Sequence, residues 1–115
     1  MHRKRLGDRG EKLAAKYLIR NGYEIVEKNY RSPYGEVDII AKRGDILAFI
    51  EVKTRLTDTY GSPSEAVGSD HKRRYVRAAK SYISAHGCDA VVRFDVIEIY
   101  RGEINHIENA FDAKA

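Results

Sequence analysis

The chain has 115 residues and a formal net charge of +4, with 43% hydrophobic and 33% charged side chains. This length and balance predict one globular domain spanning residues 1–115. A single cysteine excludes an intrachain disulfide, and no apolar run is long enough for a membrane span. We therefore expect a cytoplasmic protein with no membrane partner. The basic charge permits nucleic-acid binding but does not establish it.

The first third of the chain predicts a helix followed by a strand. Residues 8–21 show an apolar stripe at helical spacing, with Asp8 as the expected cap and Glu11 three positions later, in capping-box spacing. Asn21-Gly22 is a signal that ends a helix. Residues 23–31, "YEIVEKNYR", predict the first strand.

A hairpin follows, in which "GEVDIIA" and "LAFIEVKTR" flank the turn "KRGD". Residues 56–69 predict a polar loop, where Ser62 could cap a short helical turn. A second helix is predicted at about 70–86, and "AVVRFDVIEIY" and "EINHIENAF" predict two further strands. The order of helix, three strands, helix and strands favours a small mixed sheet with helices packed on it.

The charged residues of the hairpin need an explanation, because its strands are otherwise the best β-forming sequence in the chain. Glu36 and Asp38 lie in the first strand, and Glu51 and Lys53 lie in the second. Alternation places each pair on one face of its strand. For the hairpin taken alone, two interpretations stay open: a functional site that tolerates buried charge, or a polar sheet face exposed to water.

The expected register brings the carboxylates together. If Lys42 pairs with Asp45 across the turn, Glu36 lies opposite Glu51, and Asp38 is one diagonal step from Glu51. Carboxylates this close repel each other unless a positive charge lies between them. A shared cation would supply that charge.

Mg²⁺ is the cation that this pattern favours, because it prefers oxygen ligands with a few carboxylates plus water, and Mn²⁺ is an acceptable substitute. The candidate metal ligands are Asp38, Glu51 and the backbone carbonyl of Val52. Lys53, two residues after Glu51 on the same strand face, could orient an attacking water or stabilise charge on a phosphate.

The sequence resembles a known nuclease family. Asp38, followed after twelve residues by Glu51-Val52-Lys53, is similar to the PD-(D/E)XK nuclease pattern. The segments "GDRGEKLAAKYLIRNGY", "NYRSPYGEVDIIA", "FIEVKTR" and "RFDVIEI", in this order, resemble the YraN-like family of predicted bacterial nucleases. The chain is more distantly similar to archaeal Holliday-junction resolvases. The resemblance implies an α/β, restriction-endonuclease-like fold with a central mixed sheet flanked by helices.

The same resemblance implies a metal-dependent endonuclease that hydrolyses phosphodiester bonds in DNA, which could include branched or junction DNA, in repair or recombination. It implies metal ligation by Asp38 and Glu51 and a catalytic role for Lys53, although Val37 stands where the pattern has proline. Resolvase-like proteins carry an acidic residue on the first helix near the metal. That comparison makes Glu11 a catalytic-site candidate, with a pure helix cap as the alternative.

Several basic residues are candidates for nucleic-acid binding. Arg43 and Arg55 flank the charged hairpin and are the better candidates for phosphate contacts. Lys72 could point toward the scissile phosphate or simply extend along the helix surface to solvent. Arg73, Arg74 and Arg77 could contact the phosphate backbone if their helix borders the groove, or could form a solvated helix face.

Other readings of the whole chain remain open. The fold could be a nucleic-acid-binding module that does not cut, or cuts only within a complex, and RNA is not excluded as a partner. A third reading is an interaction domain without nucleic acid. A homodimer is expected only by analogy with two-fold resolvases. Asp95 is interpreted as structural, paired with Arg93 or with an amide at a helix end. Three of the four histidines are expected at the surface.

Overall fold

A computed structural model describes residues 2–55 and 69–111; of residues 2–8 and Ser69 it describes only the helical backbone. The predicted helical turn at Ser62 therefore lies outside the described residues. The described elements are α1 (His2–Arg20), β1 (Glu24–Ser32), β2 (Gly35–Arg43), β3 (Ile46–Arg55), α2 (Ser69–His86), β4 (Val91–Tyr100) and β5 (Glu103–Phe111). This is the element order that the sequence predicts.

The five strands form one mixed sheet in the order β1-β2-β3-β4-β5. Neighbouring strands are antiparallel except β3 and β4, which run parallel. A parallel pair needs a crossover connection, and α2 lies in the one between β3 and β4. The predicted α/β class is confirmed, and the architecture is compatible with a restriction-endonuclease-like fold.

Each helix covers one face of the sheet and closes one half of the core. On the α1 side, Leu18 packs with fully buried residues that include Ile39 and Ile50. On the α2 side, Tyr75 and Ala79 pack with a cluster that includes Phe49, Phe94 and Phe111. Both faces of the central strands are therefore buried, which explains their continuous apolar runs.

Neither helix in residues 2–55 and 69–111 combines the length and apolar character that a membrane crossing requires.

The start of α1 differs from the prediction, whereas its end agrees. The helix begins at His2, so Asp8 lies inside it, and the predicted capping box of Asp8 and Glu11 is wrong. A capping-box spacing also occurs within helices, where the backbone amides already have partners. At the other end, Gly22 has a φ of 87°, and Tyr23 N–H donates to the Leu18 carbonyl at 2.9 Å. This is the Schellman arrangement that a C-terminal glycine favours.

The hairpin register also differs from the prediction. Arg43 pairs with Ile46, so the two-residue turn consists of Gly44 and Asp45, and Lys42 does not pair with Asp45. Gly44 has a φ of 59°. Tight hairpin turns need a positive φ at their first central residue, which glycine adopts more easily than arginine. The register differs from the predicted one by two residues, an even shift that preserves strand faces, and it moves Glu36 away from Glu51.

A buried polar cluster ties β4 to β5. Asp95 is fully buried and accepts hydrogen bonds from Arg93 at 2.8 and 2.7 Å and from His106 at 2.7 Å. Burial would raise the pKa of Asp95, but the bonds from His106, Arg93 and the Asn109 amide hold it below its usual range. The predicted structural role of Asp95 and its pairing with Arg93 are confirmed.

Candidate active site

The site forms where β2 and β3 stop pairing with each other. Their described register ends at Ile39↔Ile50, and the next residues along the two strands are Asp38 and Glu51. There, the backbone N–H of Val52 donates to Oδ2 of Asp38 at 2.8 Å. The Asp38 carboxylate thus accepts a backbone hydrogen bond that, in a regular strand pair, a carbonyl of the neighbouring strand would accept. We call Asp38, Glu51 and Val52 the strand fork.

Glu51 is the more buried carboxylate of the strand fork, with 6% of its surface exposed. Its Oε2 lies 2.7 Å from Nε2 of His71, at the start of α2. Its Oε1 lies 3.2 Å from Nζ of Lys53, which shares its strand face as the sequence predicts. Both oxygens of Glu51 therefore have a nitrogen neighbour, one from the helix and one from the strand.

The two carboxylates have opposite electrostatic environments. Burial raises the pKa of Asp38 to about 7; the Val52 N–H opposes this only in part, and the neighbouring carboxylates add to it. Burial also acts on Glu51, but the hydrogen bond and charge of His71, with the charge of Lys53, hold the pKa of Glu51 below its usual range. Asp38 therefore lies in a region of excess negative charge, which a bound cation would offset.

The carboxylates border a cavity of about 380 Å³ between the sheet and the first turns of α2. This volume lies within the range of small-molecule sites, roughly 300–1,000 Å³. We call it the site cavity. Its strand side is acidic and its helix side carries donors; the lining residues are Gly35, Glu36, Asp38, Glu51, His71, Arg74 and Tyr75.

Glu11 approaches the strand fork from α1. With its amide nitrogen turned toward the acidic groups, Asn29 donates to Glu11 Oε1 at 2.7 Å and to Glu36 Oε1 at 3.0 Å. The charges of Glu11 and Glu36 both contribute to the raised pKa of Asp38. The structure thus places Glu11 beside the carboxylate group, and its catalytic role stays a prediction.

The three arginines predicted as phosphate contacts on α2 lie together. Arg73 and Arg77 line a cleft of about 390 Å³ with Asp70 and Arg74. Arg74 also lines the site cavity, so it stands between the two spaces. We call this second space the arginine cleft. Its position next to the site suits a phosphate chain that leaves the site cavity.

The other three predicted binding residues lie elsewhere. Arg43 packs over the ring of Tyr23 at 4.4 Å and donates to the Asn21 carbonyl, at the turn end of the hairpin. Arg55 forms an ion pair with Glu98 on β4 and has a largely buried side chain. Lys72 has its Nζ 6.0 Å from the ring centre of Phe111. The described residues that line the site cavity include none of these three.

Sequence reasoning missed His71 and Tyr75 as site residues. Tyr75 fits the apolar stripe of α2, and His71 has no metal-ligand spacing to another histidine. The one available signal is their separation of four residues, which places both on one helix face. Their rings stack with centroids 5.9 Å apart. Only the packing of α2 on the sheet shows that this face meets the strand fork.

The residues of the strand fork fit a magnesium ion, although they do not enclose one. Among the described residues, no group of three or more His, Cys, Asp or Glu side chains is arranged to hold a metal. Mg²⁺ keeps several waters and needs only one or two protein carboxylates. Burial, together with the neighbouring carboxylates, raises the pKa of Asp38, and Oδ2 is the oxygen that accepts the Val52 N–H. Ligation by the Val52 carbonyl stays a prediction.

Comparison with known proteins identifies relatives along nearly the whole chain. A model of the "Uncharacterised protein family UPF0102" matches residues 10–99. A UPF0102 protein of Thermodesulfovibrio yellowstonii is 50% identical over 111 residues, which cover 96% of this chain and 99% of that protein. A UPF0102 protein of Clostridium acetobutylicum is 47% identical over 117 residues, which cover 99% of this chain and 93% of that protein. These names state no activity.

Proposed function

The chain belongs to the uncharacterised family UPF0102, which confirms the resemblance to YraN-like proteins, and we propose that it is a metal-dependent endonuclease acting on DNA. The observation that supports this most strongly is the strand fork. It brings Asp38, Glu51 and Lys53 from two strands to one place beside the site cavity. A solvated sheet face would leave Asp38 in water, whereas burial and the neighbouring carboxylates raise its pKa to about 7.

Each residue has a role that its surroundings support. Asp38 and Glu51 would hold Mg²⁺, which when bound polarises a phosphate and lowers the pKa of a water. The ammonium of Lys53 lies 3.2 Å from Glu51 Oε1, where it can orient a water toward phosphorus and offset developing negative charge. His71 keeps Glu51 turned toward the cavity through its bond to Oε2.

The test is cleavage of labelled duplex, single-stranded, flap and four-way-junction DNA with Mg²⁺ or Mn²⁺. We expect wild-type cutting that EDTA abolishes. Asp38→Asn and Lys53→Met should each lower the rate at least about a hundredfold, as removing one charged group from a preorganised site commonly does. The matched controls are Asp45→Asn and Lys42→Met, which alter the same hairpin near its turn.

Equal cutting by the wild type and both site variants would overturn the proposal. So would folded wild-type protein that cuts none of the four DNA forms with either metal. Circular dichroism melting curves establish that each variant is folded before its rate is compared.

A second candidate is a nucleic-acid-binding module of the same fold that does not cut. The arginine cleft favours it, because Arg73 and Arg77 could bind phosphates without a metal. This candidate predicts salt-dependent DNA binding that EDTA and Asp38→Asn leave unchanged. The nuclease predicts tighter binding when Mg²⁺ offsets the charge of the strand fork.

A further inference from the structure

The buried hydroxyl of Tyr75 has a proton that no described residue accepts. Only 2% of Tyr75 is exposed. The backbone N–H of Asp38 faces the hydroxyl oxygen and opposes the rise in the hydroxyl's pKa. No group in residues 2–55 or 69–111 meets hydrogen-bond geometry with the hydroxyl, so its proton has no acceptor among those residues. Leaving a buried hydroxyl unpaired costs about 1–3 kcal/mol. A group that enters the site cavity could supply the missing partner.

The Tyr75 ring is fixed on both sides. It stacks on His71 and meets Phe111 edge to face, with ring centroids 5.9 Å apart in each pair. His71 is in turn bonded to Glu51. The hydroxyl is therefore held beside the strand fork by the same contacts that position Glu51, rather than being free to turn toward solvent.

The hydroxyl can serve only as a donor to an anionic group. Burial raises the pKa of Tyr75 well above its usual value, and the charges of Asp38 and Glu51 add to this, so the phenol keeps its proton. The ligand atom that suits it is an oxygen acceptor. The second donor on the helix side is Arg74, which is exposed and lines both the site cavity and the arginine cleft.

We propose that Tyr75 and Arg74 form a phosphate-binding wall of the site cavity, facing the carboxylates of the strand fork. The Tyr75 hydroxyl donates to one non-bridging oxygen, and the Arg74 guanidinium binds the same phosphate or the next one along the chain. This inference deepens the proposed nuclease function and rests on it.

The arrangement suits a phosphodiester better than another anion. A phosphodiester has two non-bridging oxygens, so one can face the cation side of the cavity while the other faces the wall. The chain that continues from it then meets the arginine cleft, where Arg73 and Arg77 are exposed. A carboxylate ligand would use the wall but would gain nothing from that cleft.

The test is calorimetric titration with thymidine 5′-monophosphate in the presence of Mg²⁺, with thymidine as the probe that lacks phosphate. Tyr75→Phe removes the hydroxyl and keeps the ring. We expect it to weaken monophosphate binding about tenfold, as loss of one hydrogen bond to a charged group does. Arg74→Gln should weaken it at least as much and reduce its salt dependence. Neither variant should change binding of thymidine.

The matched controls are Tyr82→Phe and Lys80→Gln, which remove a tyrosine hydroxyl and a positive charge from α2 away from the site cavity. They should bind the monophosphate like the wild type. Tyr75→Phe should melt at the same temperature as the wild type or higher, because it removes an unpaired buried polar group. A lower melting temperature with unchanged affinity would assign the hydroxyl a structural role and overturn the inference. Absence of monophosphate binding by the wild type would also overturn it.

The wall and the nuclease can fail separately. Monophosphate binding that depends on Tyr75, in a protein that cuts no nucleic acid, would support the wall and overturn the nuclease. DNA cutting by the wild type, with unchanged monophosphate binding in Tyr75→Phe, would support the nuclease and overturn the phosphate-binding wall.

Discussion

Opposing effects act on the ionised form of Asp38 in the folded protein. The Val52 amide stabilises its ionised form, whereas burial and the nearby carboxylates destabilise that form more strongly. Its folded pKa of about 7 therefore lies above its ordinary value of 3.8. An acid with a raised folded pKa costs the folded state nothing below its ordinary pKa. The cost grows as the pH rises toward 7 and then levels off.

Asp38→Asn should consequently stabilise the metal-free protein at pH 8 but not at pH 4. We expect the free energy of unfolding to rise by about 1–3 kcal/mol at pH 8 in EDTA. The substitution removes the buried charge, and the oxygen of the new amide can still accept the Val52 N–H. Urea unfolding at the two pH values measures this, with Asp45→Asn as the control. An equal gain at both pH values would contradict the assignment. Mg²⁺ should raise the melting temperature of the wild type and not that of Asp38→Asn.

At the scale of elements, the close approach of α1 to the sheet places Glu11 near the strand fork. Gly10 makes that approach possible, because a Cβ at this position would overlap Oγ1 of Thr54 on β3. The next residue, Glu11, then lies within reach of Asn29 on β1. A glycine within a helix weakens it by about 1 kcal/mol relative to alanine, so packing outweighs helix propensity here.

Gly10→Ala should lower the free energy of unfolding by about 1–3 kcal/mol, despite the better helix propensity of alanine, because overpacking moves α1 away from β3. Removing the overlapping atom should relieve this. The same substitution made in a Thr54→Ala background should therefore cost at least about 1 kcal/mol less. Urea unfolding of the four proteins gives this cycle. An equal loss in both backgrounds would exclude the Thr54 contact as the cause.

At the scale of the whole molecule, the charges are separated in a way that the net value of +4 does not reveal. The site cavity is acidic on its strand side, and the arginine cleft lies next to it on α2. Arg43, at the turn end of the hairpin, has an internal role instead, because it packs on Tyr23. Salt-sensitive binding should therefore depend on α2.

Arg73→Gln and Arg77→Gln should each weaken DNA binding to a similar degree for every sequence. Each should reduce the slope of log affinity against log salt by about 1, since one phosphate contact is lost. Fluorescence anisotropy at several salt concentrations measures the slope. Lys16→Gln, on the exposed face of α1, is the matched control. A slope that neither arginine substitution changes would remove the arginine cleft from the binding surface.

Local rules determined most of the fold in advance. Helical and strand periods predicted all seven described elements, and Asn21-Gly22 predicted the end of α1. The observed hairpin register differs from the predicted one by two residues, and such an even shift preserves strand faces. The pairing of Asp95 with Arg93 followed from their spacing on one strand. These features depend on neighbours in the chain, which the sequence displays directly.

Only the tertiary structure determined which side chains of α2 lie beside the strand fork. His71, Arg74 and Tyr75 reach Asp38 and Glu51 because α2 crosses back over the sheet between two parallel strands. The turn at Gly44 fixed the register through a backbone angle that residue types suggest but do not impose. The chain by itself determined which residues share a strand or helix face. Which of those faces contact each other depends on packing across the whole core, and no local sequence pattern encodes that packing.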